Sequence, residues 1–466
     1  MTSKRDWTIL LYMGGDNGKI FETDLGAYAL MAEMTTAGHR DIAEIQEVGS
    51  TDRVAVLAQF DTLGEDPDIQ QGSYRLEIRQ GNNTWDDVVE VIPEINTGDP
   101  CELARFVIWG MARCPARHTL LILWNHGIGW KDNDVYQTVR SGSHAAALNL
   151  KPRSKNVAFF SATADWARKL GQDIDDDLLR GILYDDTSLD FLTNVELSQA
   201  LRVAEIAESE DDAAAIFADP TRLEAVMSDH EQEPQRQLSA IGMDACLMAM
   251  IEVFHQVRDF AAVAIASQEL EPLNGWPYTG ILEKLNGDPE ISPRQLGILI
   301  VEEYGKAYQS RPITQSAVDL TTMKTTAHRV GNLARAITEI YPDESAFRRA
   351  YQSAADTARG IFEDPDYVDL HHFVTLLRRH YLENGGMDLR LLATSTVLRD
   401  WIASSRGPVV SNVATGKYAA PRATGLSIYL PASHAPYNVQ PSPAYKELDF
   451  ADTGWLEMLE TIYQTA

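Results

Sequence analysis

Two residues of this chain stand where nucleophilic chemistry needs them. The stretch 120–130, LLILWNHGIGW, runs through a block of apolar residues and stops at His126 and Gly127. The stretch 241–250, IGMDACLMAM, does the same and reaches Ala245 and Cys246. Apolar runs this short read as parallel strands buried on both faces. In open α/β sheets, chemistry gathers at the carboxyl ends of such strands. An imidazole at one end and a thiol at another suffice for covalent catalysis: the imidazole moves the proton and the thiolate attacks. Alone, Cys246 would read as a small buried hydrophobe. A helix expected directly after it, over 247–257, argues otherwise, because a positive helix N-terminus favours thiolate. Asp244, two residues earlier, is either the cap of that helix or the floor of a pocket for Arg or Lys. Glu269 and Glu271 follow the next short strand, expected at 263–267. They either add to that negative charge or are simply solvated.

The elements that must position these residues alternate as in an α/β fold. Residues 7–13 read as a first central strand, ending in the tight turn GGDNG. A helix is expected over 21–35, a strand over 53–61, and a hairpin at 74–79 and 88–93 with its turn at 81–83. Thr97, Gly98, Asp99 and Pro100 begin a helix that runs to about residue 112. The His strand follows at 119–125. Residues 131–180 then break the rhythm; a connection so long is functional or disordered. Thr193 and Glu196 form a capping box for a helix over 193–206. Residues 207–237 are an acidic, Ala-rich insertion. From residue 292 the pattern is helical, at 293–311, 324–340, 344–361, 367–384 and 389–405, with strand-like breaks at 316–320, 409–413 and 426–430.

Several strings resemble the clostripain-type cysteine peptidases. They are WTILLYMGGDN at 7–17, LILWNHGIGW at 121–130, DDTSLDFLTNVELSQAL at 185–201, IGMDACLMAMIEV at 241–253, SQELEPLNGWPY at 267–278 and GLSIYLP at 425–431. The resemblance implies a caspase-like α/β fold: a largely parallel central sheet flanked by helices. Residues 1–285 would form the catalytic domain, and 286–466 a helical subdomain that contributes strands to the core. It also implies a cysteine endopeptidase with a His126/Cys246 dyad. The amides of Gly127 and Cys246 would bind the oxyanion, and Asp244 would take a basic substrate residue. His126 and Cys246 lie further apart in sequence than in caspases, and the segments 131–180 and 207–237 account for the difference. Related enzymes mature by a cut after a basic residue in the segment matching 131–180. Here Arg140, before Ser141 and Gly142, is the favoured bond, then Arg153. The cut could be made by the enzyme itself or by an activating protease. Intracellular bacterial relatives act in regulatory or defence cascades. No cofactor is required by this chemistry, although some relatives respond to calcium.

Composition narrows the partners. The formal charge of −28 over 466 residues argues against a nucleic-acid surface and suits basic peptide or protein substrates. No apolar run approaches the roughly 18 residues of a membrane span. The apolar stretch 7–13 is short for a signal core and no cleavage site follows, so a cytoplasmic protein is expected. Three cysteines give no disulfide framework. No metal site is legible: the acidic run 173–177 has Leu178 and Tyr184 where a calcium loop needs Gly and Glu, and Cys114 with His118 is half of a zinc site. The reading from another class is a nucleotide- or partner-binding α/β protein without protease activity. It rests on GGDNG, which lacks both GxGxxG and the Gly-Lys-Ser/Thr of a P-loop.

Overall fold

In a computed structural model of the protein, the described residues are 4–16, 19–22, 28–31, 33–62, 72–131, 182–183, 185, 188, 190–229, 237–432 and 443–465. They form two compact units: Met1–Gln237 with Leu273–Pro289, and Leu238–Pro272 with Glu290–Ala466. Compactness groups the Cys246 segment with the C-terminal residues, where the expected boundary set residues 1–285 apart as a catalytic domain.

The first unit is built on β1 (Arg5–Gly15), which is buried from Trp7 onward. Its sequence is continuously apolar because both faces are covered. After a separate hairpin, β2 (Lys19–Glu22) with β3 (Tyr28–Met31), come α1 (Glu33–Val48) and β4 (Val54–Thr62). Next are β5 (Gly72–Glu77), β6 (Val88–Ile92), α2 (Pro100–Arg113) and β7 (Ala116–Trp124). β1 pairs in parallel with β4 and β7; β5 and β6 are added antiparallel at the outer side.

Register sets the faces. Tyr12 lies opposite Gln59 and Gly14 opposite Asp61, so these four share one face. Close contacts place a helix on each side. A Cβ on Gly110 of α2 would meet Leu10 at 2.4 Å, and one on Gly38 of α1 would meet Phe60 at 2.6 Å. The helices α3 (Asn194–Ile206), α4 (Glu210–Ala218) and α5 (Pro220–Ser228) follow, α3 with the expected Thr193/Glu196 capping box. α7 (Tyr278–Gly287) returns to this unit and lies on α1, the Thr279 hydroxyl donating to the Glu44 carbonyl.

The second unit starts at β8 (Ala240–Asp244), followed by α6 (Ile251–Gln256) and β9 (Val263–Ala266). β8 and β9 are parallel; β10 (Thr314–Asp319) and β12 (Val409–Ala414) extend the sheet antiparallel. α8 (Pro293–Ala307) covers this sheet, with Gly297 and Gly305 set against Val263, Ala317 and Val413. Around it stand α9 (Met323–Ile340), α10 (Ser345–Ala358), α11 (Leu370–Glu383), α12 (Leu389–Ile402) and α13 (Trp455–Thr465). β11 (Tyr367–Asp369) pairs with β13 (Ser427–Tyr429). The α/β class, with mostly parallel strands under helices, is the one expected.

Two expected helices differ. Of the described residues in 21–35, 21–22 end β2, 28–31 form β3 and 33–35 begin α1. Gly26 weakens a helix there, and the apolar spacing that buries a helix face begins at Met34, Ala37, Ile42 and Ile45. The helix expected at 247–257 is only α6, starting at Ile251. Most of the segment expected as an activation loop, with Arg140 and Arg153, lies outside the described residues, as does the acidic run 173–177.

Candidate active site

Cys246 and His126 each stand two residues beyond the carboxyl end of a parallel strand, β8 and β7 respectively. Cys246 belongs to the second unit and His126 to the first.

Around Cys246 the loop after β8 is laced to the loop after β9. The Glu271 N–H donates to Cys246 Sγ at 3.2 Å. The Leu247 N–H donates to the Glu269 carbonyl at 3.2 Å, and the Ala249 N–H to the Ser267 carbonyl at 2.8 Å. Leu247 has φ +64°, which side chains other than Gly rarely adopt. Such strain persists only where neighbours over-determine it, and it marks functional turns. The thiol is pushed up to about 12, first by burial and then by the charges of Glu271, Glu269 and Asp244; the Glu271 N–H opposes this. The expected helix dipole is not beside the thiol. α6 begins five residues later, with Met250 at its cap position and no side-chain cap. Asp244 is therefore not a helix cap.

The three acidic candidates differ in their surroundings. Asp244 is only 5% exposed. Glu269 is buried, and its carboxylate accepts the N–H groups of Leu270 and Glu363 and the Tyr418 hydroxyl. It is engaged in holding three segments together. Glu271 is half-buried and accepts from Gln315 Nε2 at 3.2 Å. Two further groups stand here that sequence gave no reason to select. The Gln315 Oε1 and Tyr304 hydroxyl are buried and have no hydrogen-bond partner among the described residues. Burial and the charges of Glu271 and Asp244 hold the Tyr304 hydroxyl well above its ordinary range.

In the first unit, Asn125 fixes the His126 turn. Its Nδ2 donates to the Gly14 carbonyl at 2.6 Å and its Oδ1 accepts the His126 N–H at 2.5 Å. A Cβ on Gly14 would sit 2.5 Å from Asn125 Nδ2, so only Gly leaves room. His126 is half-buried and Gly127 buried. Gly129 turns the chain at φ +72°, and its carbonyl accepts from Asn194 Nδ2.

Known proteins resemble this chain in sequence and in fold. The sequence profile of the clostripain family of peptidases matches residues 34–143 and 222–461. Solved structures resemble the chain in fold. An inactive zymogen C11 protease from Parabacteroides distasonis is 16% identical with a TM-score of 0.56, over 97% of this chain and 99% of that one. A secreted C11 cysteine protease from Bacteroides thetaiotaomicron, solved with an irreversible peptide inhibitor, is 15% identical with a TM-score of 0.53, over 96% and 99%. No curated protein sequence gives a significant match. With most of its length matched by the profile, this chain belongs to the clostripain family and is a cysteine peptidase.

Proposed function

We propose that the protein is an endopeptidase cleaving after Arg, and less readily Lys, with Cys246 as nucleophile and His126 as its proton carrier. The observation that carries this reading is the setting of Cys246. Its sulfur lies just past the end of β8, is gripped by the Glu271 N–H, and lies among the charges of Asp244, Glu269 and Glu271. A guanidinium presents five donors in one plane. Asp244, Glu271, Gln315 Oε1 and the Tyr304 hydroxyl offer acceptors to match. Lys presents three donors at one point and would leave some of them unmet.

The proton inventory follows. Without substrate, burial and then the acidic surroundings keep the thiol protonated. A cationic substrate side chain offsets that charge, and the proton passes to His126. The thiolate attacks the carbonyl carbon while the amides of Gly127 and Cys246 hold the oxyanion. His126 then protonates the leaving amine, and as base it directs water onto the acyl-enzyme. The pairing with His126 is supported by family membership and by the matching strand-end position.

The enzyme is made as a zymogen and cut within 131–180, at Arg140 or Arg153, by itself or by another protease. A relative similar in fold is described as an inactive zymogen. The test is cleavage of fluorogenic peptides ending in Arg, Lys or Asp, with Cys246→Ala alongside. Turnover after Arg that vanishes in the variant supports the reading. Preferential cleavage after Asp, or turnover that survives in the variant, overturns it.

A further inference from the structure

We propose that two copies of this chain pair through the outer face of α12, antiparallel and about a two-fold axis. α12 is apolar on opposite sides. Leu391, Leu398 and Ile402 are buried against the rest of the second unit. At about 3.6 residues per turn, Leu389, Ala393 and Val397 fall on the other side. Leu389 is 80% exposed and Val397 48%, and Ala393 is exposed as well. Met387, just before the helix, is 77% exposed. A surface helix ordinarily keeps its apolar residues on one side, and a continuous exposed apolar stripe marks a contact surface.

The order of residues along that face points to its occupant. In an antiparallel pair with its axis between Ala393 and Val397, Leu389 of one copy meets Trp401 of the second. Ala393 meets Val397, and Arg390 meets Asp400. Each match is complementary: aliphatic chain on ring, small on branched, cation on anion. An isologous interface makes each of them twice. Beside Trp401 lies a hollow of about 440 Å3, bordered by Arg329, Val397, Asp400, Trp401 and Arg406. The Arg329 guanidinium stands 4.7 Å from the centre of the Trp401 ring. The hollow therefore offers ring and aliphatic stem below and positive charge at its rim. Leu389 is the most exposed large apolar side chain among the described residues. Asp388 beside it brings a carboxylate towards Arg329 and Arg406 of the second copy. Each chain thus carries a knob at the start of α12 and a hollow about 18 Å further along it, at 1.5 Å per residue.

Within one chain Arg390 already holds Glu339, and Arg399 holds Asp400 at 2.7 Å. Pairing joins these into a row of alternating charges on each side of the axis. Such exposed pairs set register more than they add affinity. A single pair of helices covers less than the roughly 1,200 Å2 of the smallest stable interfaces. Each copy also carries a net charge of −28, which opposes association. The dimer is therefore weak and forms with rising concentration.

The experiment uses full-length Cys246→Ala protein, so that every chain has one mass; the pairing does not rest on the dyad proposed above. Sedimentation equilibrium from about 1 to 300 μM should show a monomer–dimer equilibrium with a Kd on the order of 10–100 μM. Leu389→Lys sets a cation against Arg329 and Arg406, and Val397→Glu buries a carboxylate near Asp400. Each should weaken the dimer about tenfold or more. Tm should not fall, because both side chains are exposed in the single chain. Register is read by mixing Ala393→Cys with Val397→Cys protein and adding a short bismaleimide. The peptide map should contain a cross-link between positions 393 and 397. A monomer over the whole range, a dimer that survives both substitutions, or a dimer without that cross-link overturns the proposal.

Discussion

The Glu271 N–H donates to the sulfur of Cys246 at 3.2 Å, so the loop that follows β9 grips the thiol at the end of β8. The same residue supplies a lowering and a raising influence on that thiol. Its amide dipole favours thiolate and its carboxylate opposes it, and burial with the other acids leaves the thiol at about 12.

That balance predicts slow alkylation at neutral pH. Glu271→Gln keeps the amide and removes the charge, so the thiol should ionise more easily. Iodoacetamide labelling of Cys246, followed by site-resolved mass spectrometry against Cys101 and Cys114, should accelerate about 3- to 10-fold at pH 7. An unchanged rate would mean that the Glu271 carboxylate does not reach the sulfur.

Removal of either member of the dyad should abolish turnover. Cys246→Ala and His126→Ala should each lower kcat/KM for an Arg peptide by about 10³-fold or more, with little change in Tm. A His126 variant that retains most of the activity would assign the proton transfer elsewhere.

Selectivity should separate the acceptors. Asp244→Asn should cost on the order of 10²-fold in kcat/KM for both Arg and Lys peptides, because it removes the buried charge. Gln315→Met should lower Arg cleavage more than Lys cleavage, about tenfold in the ratio, because a guanidinium uses the extra acceptor. Equal losses for the two peptides would remove Gln315 from recognition.

Processing is checked by intact mass. Wild-type protein should separate into two chains, with the break after Arg140 or Arg153. A Cys246→Ala protein that stays whole when purified alone indicates self-cleavage; one cut in the same place indicates another protease. A single uncut wild-type chain with full activity would sink the zymogen reading.

Glu252 predicts a pH effect on stability. Wholly buried, it accepts the Tyr429 N–H and the Tyr445 hydroxyl. Burial raises it from 4.5 to about 7. The folded state therefore holds this proton more tightly than the unfolded chain. Its contribution is full below about pH 4.5 and is lost as pH rises towards 7, beyond which the ionised group is a constant penalty. Glu252→Gln keeps the acceptor for both donors and should raise stability at pH 8 by about 2 kcal/mol, with no gain near pH 4. Denaturant unfolding at the two pH values reads the difference.

Much of this protein was legible in its sequence. Both strands that lead to His126 and Cys246 were visible because fully buried parallel strands are continuously apolar. Five long C-terminal helices and the strands near 316–320, 409–413 and 426–430 were visible from their spacing, although 367–369, expected as helix, form β11. The Thr193/Glu196 cap was visible because capping is local. The reactive residues stood out as polar interruptions at the ends of apolar runs.

What the sequence could not determine are properties of approach between distant segments. The short α6 follows from the strained Leu247 turn and its bonds to the loop after β9, contacts no local periodicity reports. Glu269 reads in sequence as added pocket charge or a solvated acid, but in the fold its carboxylate is taken by the N–H of Glu363. Gln315 and Tyr304 carry no motif and acquire meaning only because burial leaves their oxygens without hydrogen-bond partners among the described residues. Asp16, Asp61 and Glu94 are scattered in sequence, and only strand register and the common carboxyl edge of the sheet bring them within 4.8 Å. Sequence fixes which residue types are available at strand ends. The tertiary structure decides which of them share a desolvated space, where charge and hydrogen bonding are strongest.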